Sequence, residues 1–335
     1  MIRLGDVATY VNGYAFKPED RGNVGLPIIR IQDLTGHAYD LGFYDGEYPS
    51  KIEINNGDIL ISWSASLGVY VWDKGKALLN QHIFKVVFDK VDIDKKYFVY
   101  AVRRKLDEMV MKTHGATMKH IVKKDFDETK IPYPTMEEQI EIAKKLDKVL
   151  YIIQKRKQEL ELLDDLIKAR FVEMFGDVKY GTERWGGKPF KDITINLDSK
   201  RKPVKDADRK KMQGIYPYYG ATGIVDYVND YRQDGEFLLI SEDGKALELR
   251  SKPIAFLASG KIWVNNHAHV QQCTDECNMV YLMYHINFMD ISIWVTGIDQ
   301  KKLNRANLDT IPIALPPIEL QEQFADFVNQ VTKSK

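Results

Sequence analysis

The sequence predicts a mixed α/β (α+β) protein of two similar domains joined by one long helix, with a second, shorter helix near its C-terminus. Three observations predict this. The chain reads nearly the same way twice: residues 115–142 run GATMKHIVKKDFDETKIPYPTMEEQIEI and residues 297–326 run GIDQKKLNRANLDTIPIALPPIELQEQFAD. Each stretch opens on a glycine and a Lys-rich turn, passes an apolar anchor (Phe126, Leu308) and a proline-bearing strand exit, and enters a helix at Glu-Gln (Glu138-Gln139, Glu322-Gln323). Residues 135–175 contain neither glycine nor proline, and short apolar runs bounded by Gly and Asp turns precede both repeats. A tandem duplication offers two similar surfaces on one frame, which suits a target with approximate two-fold symmetry; duplex DNA is such a target.

The elements follow in order. In residues 1–134, the runs 26–31, 58–63, 69–72 and 83–88 have strand composition. Residues 95–112 place Tyr97, Val99, Val102, Leu106 and Val110 at helical spacing. Residues 135–177 form the long helix, with Thr135 as N-cap, Glu138 at the capping-box position and Gly176 as the C-terminal stop. About 41 helical residues span roughly 60 Å. Ile142, Leu146, Val149, Ile153, Leu160, Leu163, Ile167 and Met174 follow a heptad seam, interrupted by Arg156 and Arg170. Residues 178–316 repeat the α/β pattern, with strand runs at 237–240 and 253–257 and a helix over 279–291. From 317 to 335, Ile318, Phe324, Phe327, Val328 and Val331 mark an amphipathic helix about half as long as the first.

Composition bounds the function. The chain has 335 residues, 44% of them hydrophobic, and 48 basic side chains balance 48 acidic ones. A net charge of zero argues against a general polyanion binder, but local patches decide DNA binding. Two cysteines and no recognisable signal peptide point to a reducing cytoplasm, and no apolar run reaches the ~18 residues of a membrane span.

No motif points to chemistry in the chain itself. Leu315-Pro316-Pro317-Ile318 lacks the polar and aromatic residues with which an amino-methyltransferase holds a flipped base, and no Gly-x-x-x-x-Gly-Lys phosphate loop is present. Glu242, Asp243 and Lys245 could be imagined as a nuclease-like cluster but read better as a hairpin turn. His267, His269, Cys273 and Cys277 are potential metal ligands in one short segment, at a spacing uncommon for zinc. Structural histidines and buried thiols are the simpler reading.

Several segments have the composition of DNA contacts. Lys112, Thr113, His114, Thr117 and Lys119 lie in a glycine-containing loop, and Gln300, Lys301 and Lys302 take the matching place in the second half. Lys200, Arg201, Lys202 and the run Arg209-Lys210-Lys211 are basic clusters. Asn80, Gln81 and His82 match Asn265, Asn266 and His267, each group just before an apolar strand. Lysines bind phosphates, and amide, imidazole and hydroxyl groups address base edges. The alternatives are solvated loops and capped turns. Tyr216, Tyr218 and Tyr219, beside Gly220 and Thr222, either line a concave surface or belong to the core.

A family resemblance covers essentially the whole chain. Residues 166–177 (LIKARFVEMFGD) resemble the central helix of type I restriction–modification specificity (S) subunits. Residues 214–224 (GIYPYYGATGI) and 234–244 (DGEFLLISEDG) look like hallmarks of their target recognition domains, and 315–323 (LPPIELQEQ) resembles their domain-to-helix junction. The resemblance implies target recognition domains over 1–134 and 178–316, a conserved spacer helix over 135–177, and a C-terminal helix over 317–335 packed antiparallel on it as a coiled coil. It implies a non-catalytic subunit without a cofactor of its own. Each domain would read half of a split site in double-stranded DNA. The helices would set the gap and dock two methyltransferase (M) subunits that use S-adenosylmethionine. Restriction/translocase (R) subunits, with Mg and ATP, would join for cleavage. Because the C-terminal helix is short, part of the seam is left for a methyltransferase subunit or a second copy of this chain. Two rival classes are a coiled-coil scaffold with protein-binding domains and a metal-dependent enzyme using the His267–Cys277 segment.

Overall fold

The computed structural model describes residues 1–38, 40–111 and 120–334. Contacts divide the chain into two compact units, Met1–Lys155 and Arg156–Lys335. Both are mixed α/β, as the sequence predicts.

The first unit contains strands β1 (Ile2–Arg3), β2 (Thr9–Asn12), β3 (Leu26–Ile29), β4 (Gly42–Tyr44), β5 (Glu53–Ile54), β6 (Ile59–Ser62), β7 (Gly68–Val71), β8 (Ala77–Leu79), β9 (Ile83–Val87) and β10 (Lys130–Ile131). Its helices are α1 (Leu4–Val7), α2 (Ile31–Thr35), α3 (Lys95–Arg103), α4 (Leu106–Met111), α5 (Lys123–Glu128) and the first half of α6 (Met136–Phe175). Two four-stranded sheets form, in the orders β2-β9-β6-β7 and β4-β3-β8-β5, and β1 pairs with β10. Tyr97, Phe98 and Val102 of α3 and Phe126 of α5 pack on Tyr10, Ile59, Ile61, Phe84 and Val86 of the first sheet. Ile29, Leu60, Leu79 and Ile83 share a second cluster with Trp72.

The second unit contains β11 (Gly187–Pro189), β12 (Thr194–Asn196), β13 (Gln213–Gly220), β14 (Gly223–Val228), β15 (Gln233–Ser241), β16 (Ala255–Val264), β17 (Ala268–Cys273) and β18 (Pro312–Ala314). Its further helices are α7 (Gly181–Trp185), α8 (Asp206–Arg209), α9 (Lys245–Leu249), α10 (Met279–Phe288), α11 (Arg305–Asp309) and α12 (Ile318–Ser334). Six strands make one sheet, β12-β17-β15-β16-β13-β14, while β11 pairs with β18. Leu238 and Ile240 face a core with α6, α10 and α12; Phe237 and Leu239, the alternate residues of the same strand, face a smaller one.

The repeat is visible bond by bond. The parallel pair β3/β8 aligns Ile29 with Leu79, and the parallel pair β13/β16 aligns Tyr219 with Val264. Asn80 N then donates to Ile29 O, and Asn265 N to Tyr219 O, both at 3.0 Å. Trp63 N donates to His82 O (3.1 Å) as Glu242 N does to His267 O (2.9 Å). Ser64 bridges His120 as Asp243 bridges Lys302. The anchors Phe126 and Leu308 are both buried. One correction concerns the helix openings. Gln139 corresponds to Gln321, not to Gln323: both are buried, and each donates to a proline carbonyl five residues back, Pro134 O at 2.9 Å and Pro316 O at 2.8 Å.

Helix α6 is one uninterrupted element of 40 residues. Its limits are local. Glu138 N donates to Thr135 Oγ1 (3.3 Å) while Thr135 N donates to Glu138 Oε2 (2.9 Å), the reciprocal cap expected. Gly176 ends the helix at φ +86°. In the second unit, Ile167, Phe171 and Phe175 bury against Phe324, Val328 and Val331 of α12. The direction is antiparallel: Phe175 meets Phe324 at 5.6 Å between ring centres, while Arg156 Nη2 donates to Ser334 O at 3.0 Å. Arg170 lies over the Phe327 ring at 5.8 Å, so both arginines that interrupt the seam are engaged by α12. The pairing covers only that half. Ile142, Leu146, Val149 and Ile153 remain exposed, because the 17 residues of α12 pack only along the second half of α6.

Other departures have physical causes. The run 26–31 stops being strand at Ile29, since Asp33 accepts Arg30 N (2.8 Å) and caps α2. Residues 95–111 break into α3 and α4. Helix α10 ends at Phe288, short of 291. No hairpin turn occupies 242–245: β15 leaves through Gly244, at φ +102°, into α9.

Candidate nucleic-acid interface

Five chain segments converge at one end of the second unit. The β16–β17 turn carries Asn265, Asn266 and His267. The strand exit after β15 carries Glu242 and Asp243. Segment 296–302 is closed by reciprocal backbone bonds between Thr296 and Lys302, at 2.8 and 2.7 Å, and Leu303 N ties it to Glu242 O at 2.8 Å. The β13–β14 turn joins through Ser241, whose hydroxyl donates to Ala221 O. The segment before Lys202 joins because Lys202 N donates to Val264 O at 3.1 Å.

An ion network holds these segments together. Arg201 Nη1 donates to Glu242 Oε2 (2.6 Å) and Ala268 O (3.0 Å), and its other nitrogen lies 3.3 Å from Asp198. Lys302 Nζ reaches Glu242 Oε1 at 3.0 Å. Buried His269 places Nδ1 2.7 Å from Asp198 and Nε2 2.9 Å from Leu303 O. Burial opposes ionisation of Asp198, but bonds from His269 and Val270 N and the charge of Arg201 outweigh it and hold the carboxyl below its usual value. Glu242 behaves alike: burial raises it, and Arg201 and Lys302 bring it net downward.

The predicted residues therefore divide. Lys200, Lys202, Thr222, Asn266, His267 and Gln300 are exposed, and Lys301 is half-buried. Arg201 is corrected from a phosphate ligand to an internal support, since its guanidinium is enclosed by two carboxylates. Lys302 has an exposed stem, but its charge is committed to Glu242. Tyr218 is 1% exposed and its hydroxyl accepts Val204 N at 2.9 Å, so it is core rather than a concave lining; Tyr219 is buried against Phe256. Arg209 is held by Asp226 (3.1 Å) and Val204 O (2.9 Å), over the Tyr218 ring. Asn265 is buried as a turn cap, its side-chain oxygen accepting His267 N at 2.7 Å; Asn80 likewise accepts Gln81 N at 2.8 Å. The capped-turn reading holds for both asparagines.

In the first unit His82 occupies the corresponding turn, at φ +72°. Its ring meets Trp63 edge-on at 4.8 Å, and Trp63 Nε1 donates to Asn12 Oδ1 at 3.1 Å. Burial, and then the charge of His120, lower the His82 pKa. Gln81 is exposed. Lys112, Thr113, His114, Thr117 and Lys119 lie outside the described residues.

The metal alternative is not favoured. His269 is taken by Asp198 and Leu303 O, His267 by Asp243, and Cys277 is buried in the α10 core. No group of three or more potential ligands gathers among the described residues. No helix among them is long and apolar enough to cross a membrane. Sequence reasoning missed Asp198 and the role of Trp63, and read Asp243 only as part of a turn; for the two aspartates an acidic residue at a strand end was the available signal.

The family model described as type I restriction modification DNA specificity domain matches residues 1–162 and 183–335. A putative type I restriction enzyme specificity subunit of Haemophilus influenzae is 37% identical over 145 residues, 43% of this chain and 37% of the relative. The EcoBI specificity subunit of Escherichia coli is 30% identical over 170 residues, 50% of this chain and 35% of the relative. The matches thus span about a third of these relatives' length. The crystal structure of the type I restriction–modification S subunit from M. genitalium superposes with a TM-score of 0.62 at 15% identity, covering 99% of this chain and 88% of that one, and so shares the fold.

Proposed function

The chain belongs to the type I restriction–modification DNA specificity family, and from that premise we propose that it reads a bipartite site in double-stranded DNA and positions the subunits that act there. Exposed Lys200 and Lys202 and half-buried Lys301 contact phosphates; Thr222, Asn266, His267 and Gln300 in the second unit, and Gln81 and His82 in the first, meet base edges. What supports this reading most is the recurrence, bond by bond, of one turn scaffold in both units, each carrying a histidine. The two scaffolds carry different neighbours, which suits two different half-sites.

In this proposal α6 sets the unread gap between half-sites, and the uncovered apolar residues Ile142, Leu146, Val149 and Ile153 receive a methyltransferase subunit or a second copy of the chain. S-adenosylmethionine would be held by the methyltransferase subunits, and Mg and ATP by the restriction subunits. The test inserts or removes one heptad within 142–155 and maps methylated bases by single-molecule sequencing. The gap should change in length and both half-sites should persist. Altered half-sites with an unchanged gap would refute the ruler role.

A further inference from the structure

Resting on the DNA-reading proposal, we infer that His267 is a specificity-determining residue whose Nε2 accepts a hydrogen bond from the exocyclic amino group of an adenine or cytosine in the major groove, with Asp243 as its positioning residue. The Asp243 carboxylate is buried, and both its oxygens lie close to His267 Nδ1, at 2.9 and 2.8 Å. A carboxylate offers only acceptors, so the shared proton sits on Nδ1. In the neutral ring, Nε2 then carries a bare lone pair. Among the described residues nothing bonds to Nε2, and the side chain is 46% exposed.

The ring is fixed before any ligand arrives. His267 N donates to Asn265 Oδ1 at 2.7 Å, and His267 O accepts Glu242 N at 2.9 Å. The backbone of Asp243 is paired with Lys302. Preordering on every side removes the entropic cost that a flexible side chain meets on binding. The chemistry then selects. Adenine N6 and cytosine N4 present donors to the major groove, whereas guanine and thymine present oxygen or ring-nitrogen acceptors that repel a lone pair. The first unit lacks the device: Ser64 stands where Asp243 does, and His82 rests on Trp63 instead. The two units therefore apply different tests at the matching turn.

The experiment selects bound sequences from randomised duplexes with the full chain, for the wild type, His267→Ala, Asp243→Ala and Asp243→Asn. The wild type should prefer adenine or cytosine at one position of one half-site. His267→Ala should lose that preference by about tenfold, leaving other positions intact. Asp243→Ala should lose it at the same position although His267 is present, and Asp243→Asn, which keeps an acceptor oxygen, should restore it. Replacing that base by its analogue lacking the amino group should weaken the wild type by about tenfold and leave His267→Ala unaffected. A selected guanine or thymine at that position, an unchanged consensus in His267→Ala, or equal weakening of both proteins by the analogue would overturn the inference. A wild-type chain that selects no sequence at all would instead sink the DNA-reading proposal on which it rests.

Discussion

The side-chain oxygen of Gln321 accepts the backbone N–H of Asn278 at 2.8 Å, tying the first turn of α12 to the N-cap of α10. The same amide donates to Pro316 O at 2.8 Å and Glu276 O at 3.2 Å, so one buried side chain satisfies three main-chain groups. Gln139 repeats the arrangement in the first unit, accepting from Asp94 N, the N-cap of α3, at 3.0 Å. In both units one glutamine joins the strand-to-helix junction, into α6 in the first and α12 in the second, to the helix that covers the sheet.

Replacing Gln321 by Ala should therefore cost about 2–4 kcal/mol, because buried main-chain groups lose their partners. Gln323→Ala, at an exposed position, should stay within about 0.5 kcal/mol. Urea denaturation of the two variants separates them. Equal effects would contradict the assignment of Gln321 as the counterpart of Gln139.

Acid should weaken the second unit through His285. Burial lowers its pKa from 6.5 to about 4, and its Nε2 accepts Ala314 N at 3.3 Å. The folded-state value lies below the unfolded one, so the contribution is complete above pH 6.5 and is lost as pH falls from 6.5 towards 4. Linkage gives about 2 kcal/mol lost by pH 5. His285→Phe should remove that part of the slope in denaturation curves measured at pH 7 and pH 5.

Salt dependence should sort the cations. Lys200→Ala, Lys202→Ala and Lys301→Ala should each reduce the slope of log K against log salt by about 1, measured on duplex DNA. Arg201→Ala should act mainly on stability, by about 1–3 kcal/mol, since Glu242 and Asp198 each lose a buried cationic partner while Lys302 and His269 remain. A large slope change at Arg201 with unaltered stability would reverse its assignment.

The joined half of α6 should be the sensitive half. Phe171 is 1% exposed and stacks on Tyr281 at 5.6 Å, with Phe324 edge-on at 5.3 Å. Phe171→Ala should cost about 3–5 kcal/mol and expose α12 to protease. Val149→Ser and Ile153→Ser, at exposed seam positions, should each change stability by about 0.5 kcal/mol or less while weakening association with whatever chain covers them.

What the sequence determined by itself was everything that acts within a few residues or repeats along the chain. The Thr135–Glu138 cap and Gly176 bounded α6, apolar runs marked β6, β7 and β9, and the duplicated GATMKH and GIDQKK segments announced two like units. Even there, similarity of letters misaligned Gln139 with Gln323, because the matching dipeptide lay two residues beyond the matching hydrogen bonds. Tertiary structure alone decided which candidates share a site and which cations remain free. Arg201 meets Glu242 across 41 residues of chain and His269 meets Asp198 across 71. Lys200 and Lys202, its immediate neighbours, stay in solvent. The physical reason is range. Caps, turns and periodicity are set by covalent geometry nearby, whereas an ion pair or a clamped imidazole depends on which strands the sheet brings side by side.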